Sequence, residues 1–312
     1  MMFIDELIKN EYPNISGLII RKNQKIVHEA YYNGRDKNSR LHIASITKSI
    51  ISILVGIAID KHLISDVNQP IIKFFPNYSR KKMYGDLSTI TIKDMMSMRV
   101  KYRYKYTPYT KVFESDDWVK TTLDLLKGKE ENIFNYTPVI GPDITSGLLV
   151  HATKQSIVDF ANENLFVPLD IEPVKSQTFT DRKTYSAYIK NESKPGWIVD
   201  PKGIHTAGWG LCLSVSDLDK IGSMIIDSKQ KLISKQWLEE SFKKHNVWKE
   251  KDASYGYYWW TDVLGGVAAI GDSGNLLYVH TEKKIVISIL CEYKPRAKDS
   301  LEFILNYVLK DI

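Results

Sequence analysis

Cysteine is nearly absent: Cys212 and Cys291 are the only two among 312 residues, 79 positions apart. Two isolated thiols supply neither a disulfide framework nor paired zinc ligands, so both are expected to be buried small hydrophobes. No apolar run approaches the roughly 20 residues that a membrane helix requires. The longest, Ile50 to Ile59, is ten residues and contains Ser52 and Gly56, so no membrane partner is expected. Charge of one sign is also scarce. The 43 Lys and Arg against 37 Asp and Glu leave only +6, which argues against nucleic acid as a partner. The seven histidines show no H-E-x-x-H or comparable spacing, and there is no glycine-rich phosphate loop. Neither a catalytic metal nor a cofactor is therefore expected. The stretch from Met1 to Ser16 carries Asp5, Glu6 and Glu11 where a secretory signal would have a basic start and an apolar core, so the sequence reads as cytoplasmic.

What is present is an ordinary globular composition, 43% hydrophobic and 26% charged, with no repeat and no flexible linker. Ser16 to Ile20 and Ile26 to Tyr32 predict a hairpin that stops at Asn33-Gly34. Residues 45–61 predict a helix, because Ile46, Ile50, Ile53, Leu54, Ile57 and Ala58 recur at helical spacing behind Ser45, a good N-cap. That helix is apolar almost all round, hence buried. Helical patterns then dominate to about residue 245, over 116–126, 144–153, 156–166 and 215–226, with caps at Thr91 and Ser234. Strand patterns return at Gly266–Ile270, Leu276–Thr281 and Ile285–Tyr293, and a last amphipathic helix covers 299–309. Strands at both ends with helices between predict an α/β (α+β) fold. An antiparallel sheet formed by both chain termini is flanked by helices and carries an inserted, mostly helical region. Residues 1–62 and 255–312 would build the sheet part, and 63–254 the helical part, of a single domain spanning 1–312.

Ser45-Ile46-Thr47-Lys48 at the start of the buried helix is the sharpest chemical feature. A spacing of three puts both side chains on one face, within reach of each other. Serine is a poor nucleophile until a base removes its proton, and lysine acts as that base only where its surroundings depress its pKa. The positive end of the helix dipole contributes to such surroundings. The plain alternative is that Ser45 caps the helix and Lys48 is a first-turn lysine.

Context favours chemistry. The run Leu41 to Ser49, then Gly56-Ile57-Ala58-Ile59-Asp60 and Ile71 to Pro76, resembles the serine β-lactamase and penicillin-binding-protein superfamily. The resemblance is to the class C β-lactamase-related branch, with its esterases, D-aminopeptidases and 6-aminohexanoate-dimer hydrolases. Ile92–Met98, Phe134-Asn135-Tyr136, Leu165–Leu169, Gly208–Leu211, Ser216-Asp217-Leu218 and Tyr255-Gly256-Tyr257 continue it over nearly the whole chain.

The resemblance implies a β-lactamase/transpeptidase-like fold and a serine hydrolase acting on an amide or ester of a small molecule or peptide. Ser45 would be the nucleophile, and Lys48 and Tyr136 the proton carriers. The family's Tyr-x-Asn motif reads Tyr136-Thr137-Pro138 here, so an amide that would bind substrate is replaced by proline. The family's cation or histidine followed by Ser or Thr and Gly reads Asp272-Ser273-Gly274. Asp272 therefore departs in charge, although Asp272, Ser273 and Gly274 still count as substrate-binding candidates. The backbone N–H groups of Ser45 and Asn275 would form the oxyanion hole. His205, in His205-Thr206-Ala207-Gly208, is a further candidate to line the cleft mouth. Ser115-Asp116-Asp117 is a rival second motif, more simply a cap on the helix entering Trp118. Gly271-Asp272-Ser273-Gly274 also matches the nucleophile loop of chymotrypsin-like proteases, but a helix-rich chain with two distant cysteines does not fit that all-β fold.

Two other functions stay open: a D-alanyl-D-alanine carboxypeptidase or β-lactamase, and a ligand-binding module of the same fold without turnover. Lys101-Tyr102-Arg103-Tyr104-Lys105-Tyr106 alternates basic and aromatic residues. It is expected to border the cleft, its tyrosines shaping the pocket and its cations in solvent.

Overall fold

The computed structural model describes residues 2–79, 86–104, 106–130, 133–227 and 229–310. Its frame is an eight-stranded antiparallel sheet to which the two ends of the chain contribute adjoining strands. In chain order these are β1 (Ile15–Lys22), β2 (Lys25–Tyr31), β3 (Asn246–Trp248), β4 (Ala253–Tyr255), β5 (Trp260–Val263), β6 (Gly266–Ile270), β7 (Leu276–His280) and β8 (Ile285–Cys291). Their spatial order is β2-β1-β8-β7-β6-β5-β4-β3. The seam between the ends is β1 on β8, in register from Ile15↔Cys291 to Lys22↔Ile285. The β1–β2 hairpin turns on Asn23 and Gln24, with φ of 49° and 66°, the doubly left-handed turn that matches strand twist.

Period-two patterning gives this sheet two buried faces. On one side Ile15, Leu18, Ile20, Ile287 and Ile289 pack with helix α1 (Met2–Glu11) and the C-terminal helix Ser300–Tyr307. On the other, Ile19, Leu277, Val286 and Leu290 pack against the main core. That core is built around helix α2 (Ile46–Asp60), buried from Ile46 through Ala58. Glycine is required where helix α3 (Val215–Ile226) crosses β1: a Cβ on Gly17 would stand 2.6 Å from Val215 Cγ1.

Differences from the sequence expectation are local. The sheet reaches back to Asn246, because β3 and β4 precede the Tyr255–Trp260 aromatic run, so the helical insertion ends earlier than 254. The 156–166 segment is a short helix, Ile157–Ala161, relaxing into a π turn at Asn162–Phe166. Strand pairs also occur inside the helical region, including Val100–Tyr102 with Leu126–Lys129. The basic and aromatic segment therefore begins as a strand, and its Lys105 lies outside the described residues. Cys212 and Cys291 are buried free thiols, as expected. Among the described residues, no helix is long and apolar enough to cross a membrane.

The α3–β1 contact is locked by charge. Arg21 donates Nε to both carboxylate oxygens of Asp219, at 3.0 and 3.2 Å, and the Asp219 side chain is only 3% exposed. Removing one partner of such a pair leaves the other charge uncompensated in a dry place. Asp219→Ala is expected to cost about 3 kcal/mol of stability, read as a lower midpoint with unchanged slope in urea unfolding.

Candidate active site

The chain reaches the site through a short strand, Leu41–His42, paired with Cys212–Leu213. Ala44 then takes φ of 49°, a left-handed conformation uncommon for a residue with a Cβ, and turns the chain into α2. Ser45 occupies the N-cap position, yet its side chain makes no capping bond. The expected cap is thus not made, and the hydroxyl serves Lys48 instead.

Lys48 Nζ donates to Ser45 Oγ at 2.8 Å, to the Pro138 carbonyl at 2.8 Å and to the Gly208 carbonyl at 2.9 Å. Three acceptors match the three donors of an ammonium. Two of them are carbonyls, which cannot donate. When the amine is neutral, its two N–H groups stay on those carbonyls and its lone pair faces the Ser45 hydroxyl. Burial pushes the Lys48 pKa below its ordinary value, while Tyr136 and Asp143 pull it up. Desolvation of the charged form is the larger effect.

Tyr136 presents its ring to the same ammonium, 4.9 Å from Nζ to the centroid. Its orientation is fixed by an aromatic group, with Trp260 at 5.7 Å and Tyr255 at 6.2 Å. Proline at 138 removes an amide side chain from this loop but leaves its carbonyl, which Lys48 uses. Tyr102 supports the loop from below, its hydroxyl lying close to Thr137 and Gly141.

The β6–β7 hairpin supplies the opposite wall. Gly271 lets it approach the nucleophile segment, since a Cβ there would sit 2.4 Å from the Ile43 carbonyl oxygen. Asn275 pins the same corner. Its amide donates to the Asp272 carbonyl at 2.9 Å and the His42 carbonyl at 3.4 Å, and it accepts from the Cys291 N–H at 2.9 Å. No acceptor among the described residues takes the backbone N–H of Ser45 or of Asn275. Ser45 and Asn275 line the same cleft.

A cleft of about 150 Å³ opens in front of Ser45, with His42, Tyr185, Trp209, Asp272, Asn275 and Tyr293 among its lining residues. Asp272 is exposed and brings the only carboxylate among the described residues that line the cleft; one of its oxygens accepts the Ser273 N–H at 2.8 Å. Ser273 also borders the cleft, but its hydroxyl accepts the Lys294 N–H at 3.0 Å. Two expected cleft residues lie elsewhere. Gly274 faces away, toward Ser300, whose hydroxyl donates to its carbonyl at 2.6 Å. His205 is 2% exposed, bonded to Ser176 at 2.9 Å and packed on Trp197, because its neighbours Thr206 and Ala207 anchor that loop inward. The tyrosines at 102, 104 and 106 do not line the cleft either. Asp117 caps the Trp118 helix by accepting the Lys120 N–H at 2.7 Å, so the Ser115–Asp117 motif is structural.

Three features were not anticipated. The Pro138 and Gly208 carbonyls are backbone groups with no side-chain signature. Asp143, at the start of helix α4 (Asp143–Thr153), is 2% exposed and accepts the Ala207 N–H at 2.8 Å. In sequence it looks like any first-turn acid. His42 accepts the Gly210 N–H on Nε2 at 3.0 Å, and burial pushes its pKa down to about 4.

The terminal-strand sheet, the buried helix and the Ser-x-x-K pair at its head define a hydrolase scaffold of the β-lactamase and penicillin-binding-protein type. The chain belongs to the Beta-lactamase family, whose model matches residues 5–305. It is similar in structure to a proposed 6-aminohexanoate-dimer hydrolase from Bacillus anthracis, at 16% identity and a TM-score of 0.70, covering 98% of this chain and 80% of that one. It also resembles the octameric penicillin-binding protein homologue from Pyrococcus abyssi, at 16% identity and 0.72, over 99% and 76%. A third likeness is EstCE1, a hydrolase with promiscuous acyltransferase activity, at 12% identity and 0.69, over 93% and 92%.

His42 gives a direct check on the cleft. With Nε2 held as acceptor, the proton sits on Nδ1 and the ring stays neutral. Nitrogen NMR is expected to show one neutral Nδ1–H tautomer from pH 8 down to about 5; titration near 6.5 would contradict the buried acceptor geometry.

Proposed function

We propose that this protein is a serine hydrolase that cleaves an amide or ester of a small molecule or peptide through an acyl-enzyme on Ser45. The observation that carries the reading is the placement of Lys48 Nζ, 2.8 Å from Ser45 Oγ with its other contacts on two carbonyls. Lys48 as neutral amine takes the Ser45 proton while Oγ bonds to the substrate carbonyl carbon. The resulting oxyanion is received by the N–H groups of Ser45 and Asn275. Tyr136, stacked against the ammonium, passes the proton to the departing nitrogen or oxygen as the carbonyl reforms. Water then attacks the acyl carbon by the reverse proton route and frees Ser45.

A fluorophosphonate probe is expected to label Ser45 alone, and Ser45→Ala to abolish labelling; mass spectrometry locates the adduct. Lys48→Ala and Tyr136→Phe should each slow acylation at least about 100-fold, the scale of a general-base contribution. Their combination should fall far short of the product, because both serve one proton path. Labelling without turnover of simple esters would favour a ligand-binding module. Efficient penicillin cleavage would favour a β-lactamase, and release of D-alanine from a D-alanyl-D-alanine peptide a carboxypeptidase.

Asp272 supports a substrate without a carboxylate near the cleft mouth, since it is the only carboxylate among the described lining residues and His42 is neutral there. Being exposed, Asp272 is screened, so its effect is modest. Matched substrates should rank amine-bearing above neutral above carboxylate in kcat/KM, by about fivefold from end to end. Asp272→Asn should flatten that ranking. A carboxylate substrate that is best in the unaltered protein would end the argument.

A further inference from the structure

Asp143 is the most deeply buried carboxylate near Ser45, and the proton route does not use it. One of its oxygens, Oδ1, accepts the Ala207 N–H at 2.8 Å. The Gly208 N–H, next along the chain, lowers the pKa of this carboxylate. The other oxygen, Oδ2, is buried without a partner, an arrangement that costs stability and calls for an explanation. The segment it grips is the one that matters for Lys48. The Gly208 carbonyl receives Lys48 Nζ at 2.9 Å and lies 3.4 Å from Ser45 Oγ. Gly208 is itself wedged: a Cβ there would be 2.3 Å from the Val139 carbonyl oxygen. Asp143 therefore anchors the segment through the Ala207 N–H, one residue before Gly208, while the Pro138–Val139 backbone crowds Gly208 from the other side.

We propose that Asp143 is a positioning residue: it fixes the Gly208 carbonyl against Lys48, and its negative charge sets the pH at which Lys48 becomes a neutral base. The inference rests on the serine-hydrolase reading for its role in turnover, but not for its effect on Lys48. Charge reaches the ammonium across a dry interior, where screening is weak. The groups that face Asp143 are few. Lys48 comes from α2, Asp200 from the turn after Trp197–Ile198, Tyr102 from the strand Val100–Tyr102, and Tyr258 from the loop before β5. Burial raises both tyrosines above their ordinary range, so they are neutral. Asp200 is tied to the N–H groups of Trp118, Lys202 and Ile204. Lys48 is the only cation among these groups. Burial pushes Asp143 itself up to about 7, against the pull of the Ala207 and Gly208 N–H groups and Lys48.

The sign follows. An ionised Asp143 favours the Lys48 ammonium and raises the lysine's pKa, so removing that charge lets Lys48 lose its proton at lower pH. Asp143→Asn keeps an acceptor for the Ala207 N–H and replaces the charge with a neutral amide, whereas Asp143→Ala removes both the acceptor and the charge. The first measurement is a carbon NMR titration of protein labelled at lysine Cε, with Lys48 assigned by its loss in Lys48→Arg. The Lys48 midpoint is expected to fall by about one pH unit or more in Asp143→Asn. The second is the pH profile of ester turnover, whose acid limb should move down by the same amount. In Asp143→Ala, kcat should drop about tenfold or more with KM nearly unchanged, and Asp143→Asn should restore it.

An unchanged Lys48 midpoint in Asp143→Asn would overturn the electrostatic role. An unaltered kcat in Asp143→Ala would overturn the positioning role. Should Asp143→Ala fail to fold, the Asp143→Asn titration decides alone. A shifted Lys48 midpoint in a protein whose Ser45 never acylates would sink the hydrolase reading and leave this inference standing.

Discussion

Everything at the site depends on keeping one ammonium group in a place that has almost no water. Lys48 is 1% exposed within a helix that is buried from Ile46 to Ala58. Desolvating a lysine is unfavourable unless its donors are satisfied. Here the satisfaction comes from three separate segments: the helix itself through Ser45, the loop at Pro138 and the turn at Gly208. The lysine is thus the point at which three distant parts of the chain are held in register. A shift of any one of them would leave a buried donor unpaired, a cost of about 1–3 kcal/mol.

The architecture explains why these segments can be so far apart in sequence. The sheet gives a rigid wall, and α2 lies across its main-core face with its N-terminal end under the β6–β7 hairpin. Asn275 stitches that hairpin to the strand before Ser45 and to Cys291 on β8. Some backbone strain lies beside the nucleophile. Ala44 and Ser273 both take left-handed backbone, with φ of 49° and 67°, Ala44 just before Ser45 and Ser273 two residues before Asn275. Sparsely populated conformations of this kind persist only where the surroundings over-determine them, and the packing of the hairpin against Ile43 does so here.

Much of this was legible in the sequence, for identifiable reasons. Period-two runs placed both terminal sets of strands, and 3.6-residue spacing placed α2 and the 215–226 helix, because each of those elements buries a face. The short strands Asn246–Trp248 and Ala253–Tyr255 were missed because three residues are too few to show a period. At the site, Ser45 and Lys48 stood out because their chemistry resides in side chains at fixed spacing. The Pro138 and Gly208 carbonyls could not be seen that way, since every residue has a carbonyl. His205 misled because a histidine beside Thr and Gly suggests a cleft, whereas the chain turns the ring inward onto Trp197. Asp143 differs from a common helix-start acid only through burial, which depends on what packs over it.

The seam between β1 and β8 has a consequence for synthesis. A ribosome that has released residues 1–240 has exposed Ser45, Lys48, Tyr136 and Gly208, but none of β7 or β8. Until Asn275 and Cys291 emerge, β1 has no inner partner and nothing closes over the head of α2. Contacts joining residues some 270 positions apart come late and raise the entropic barrier to completion. The nascent chain therefore carries its serine and lysine without a completed wall until the β6–β7 hairpin and β8 have both emerged.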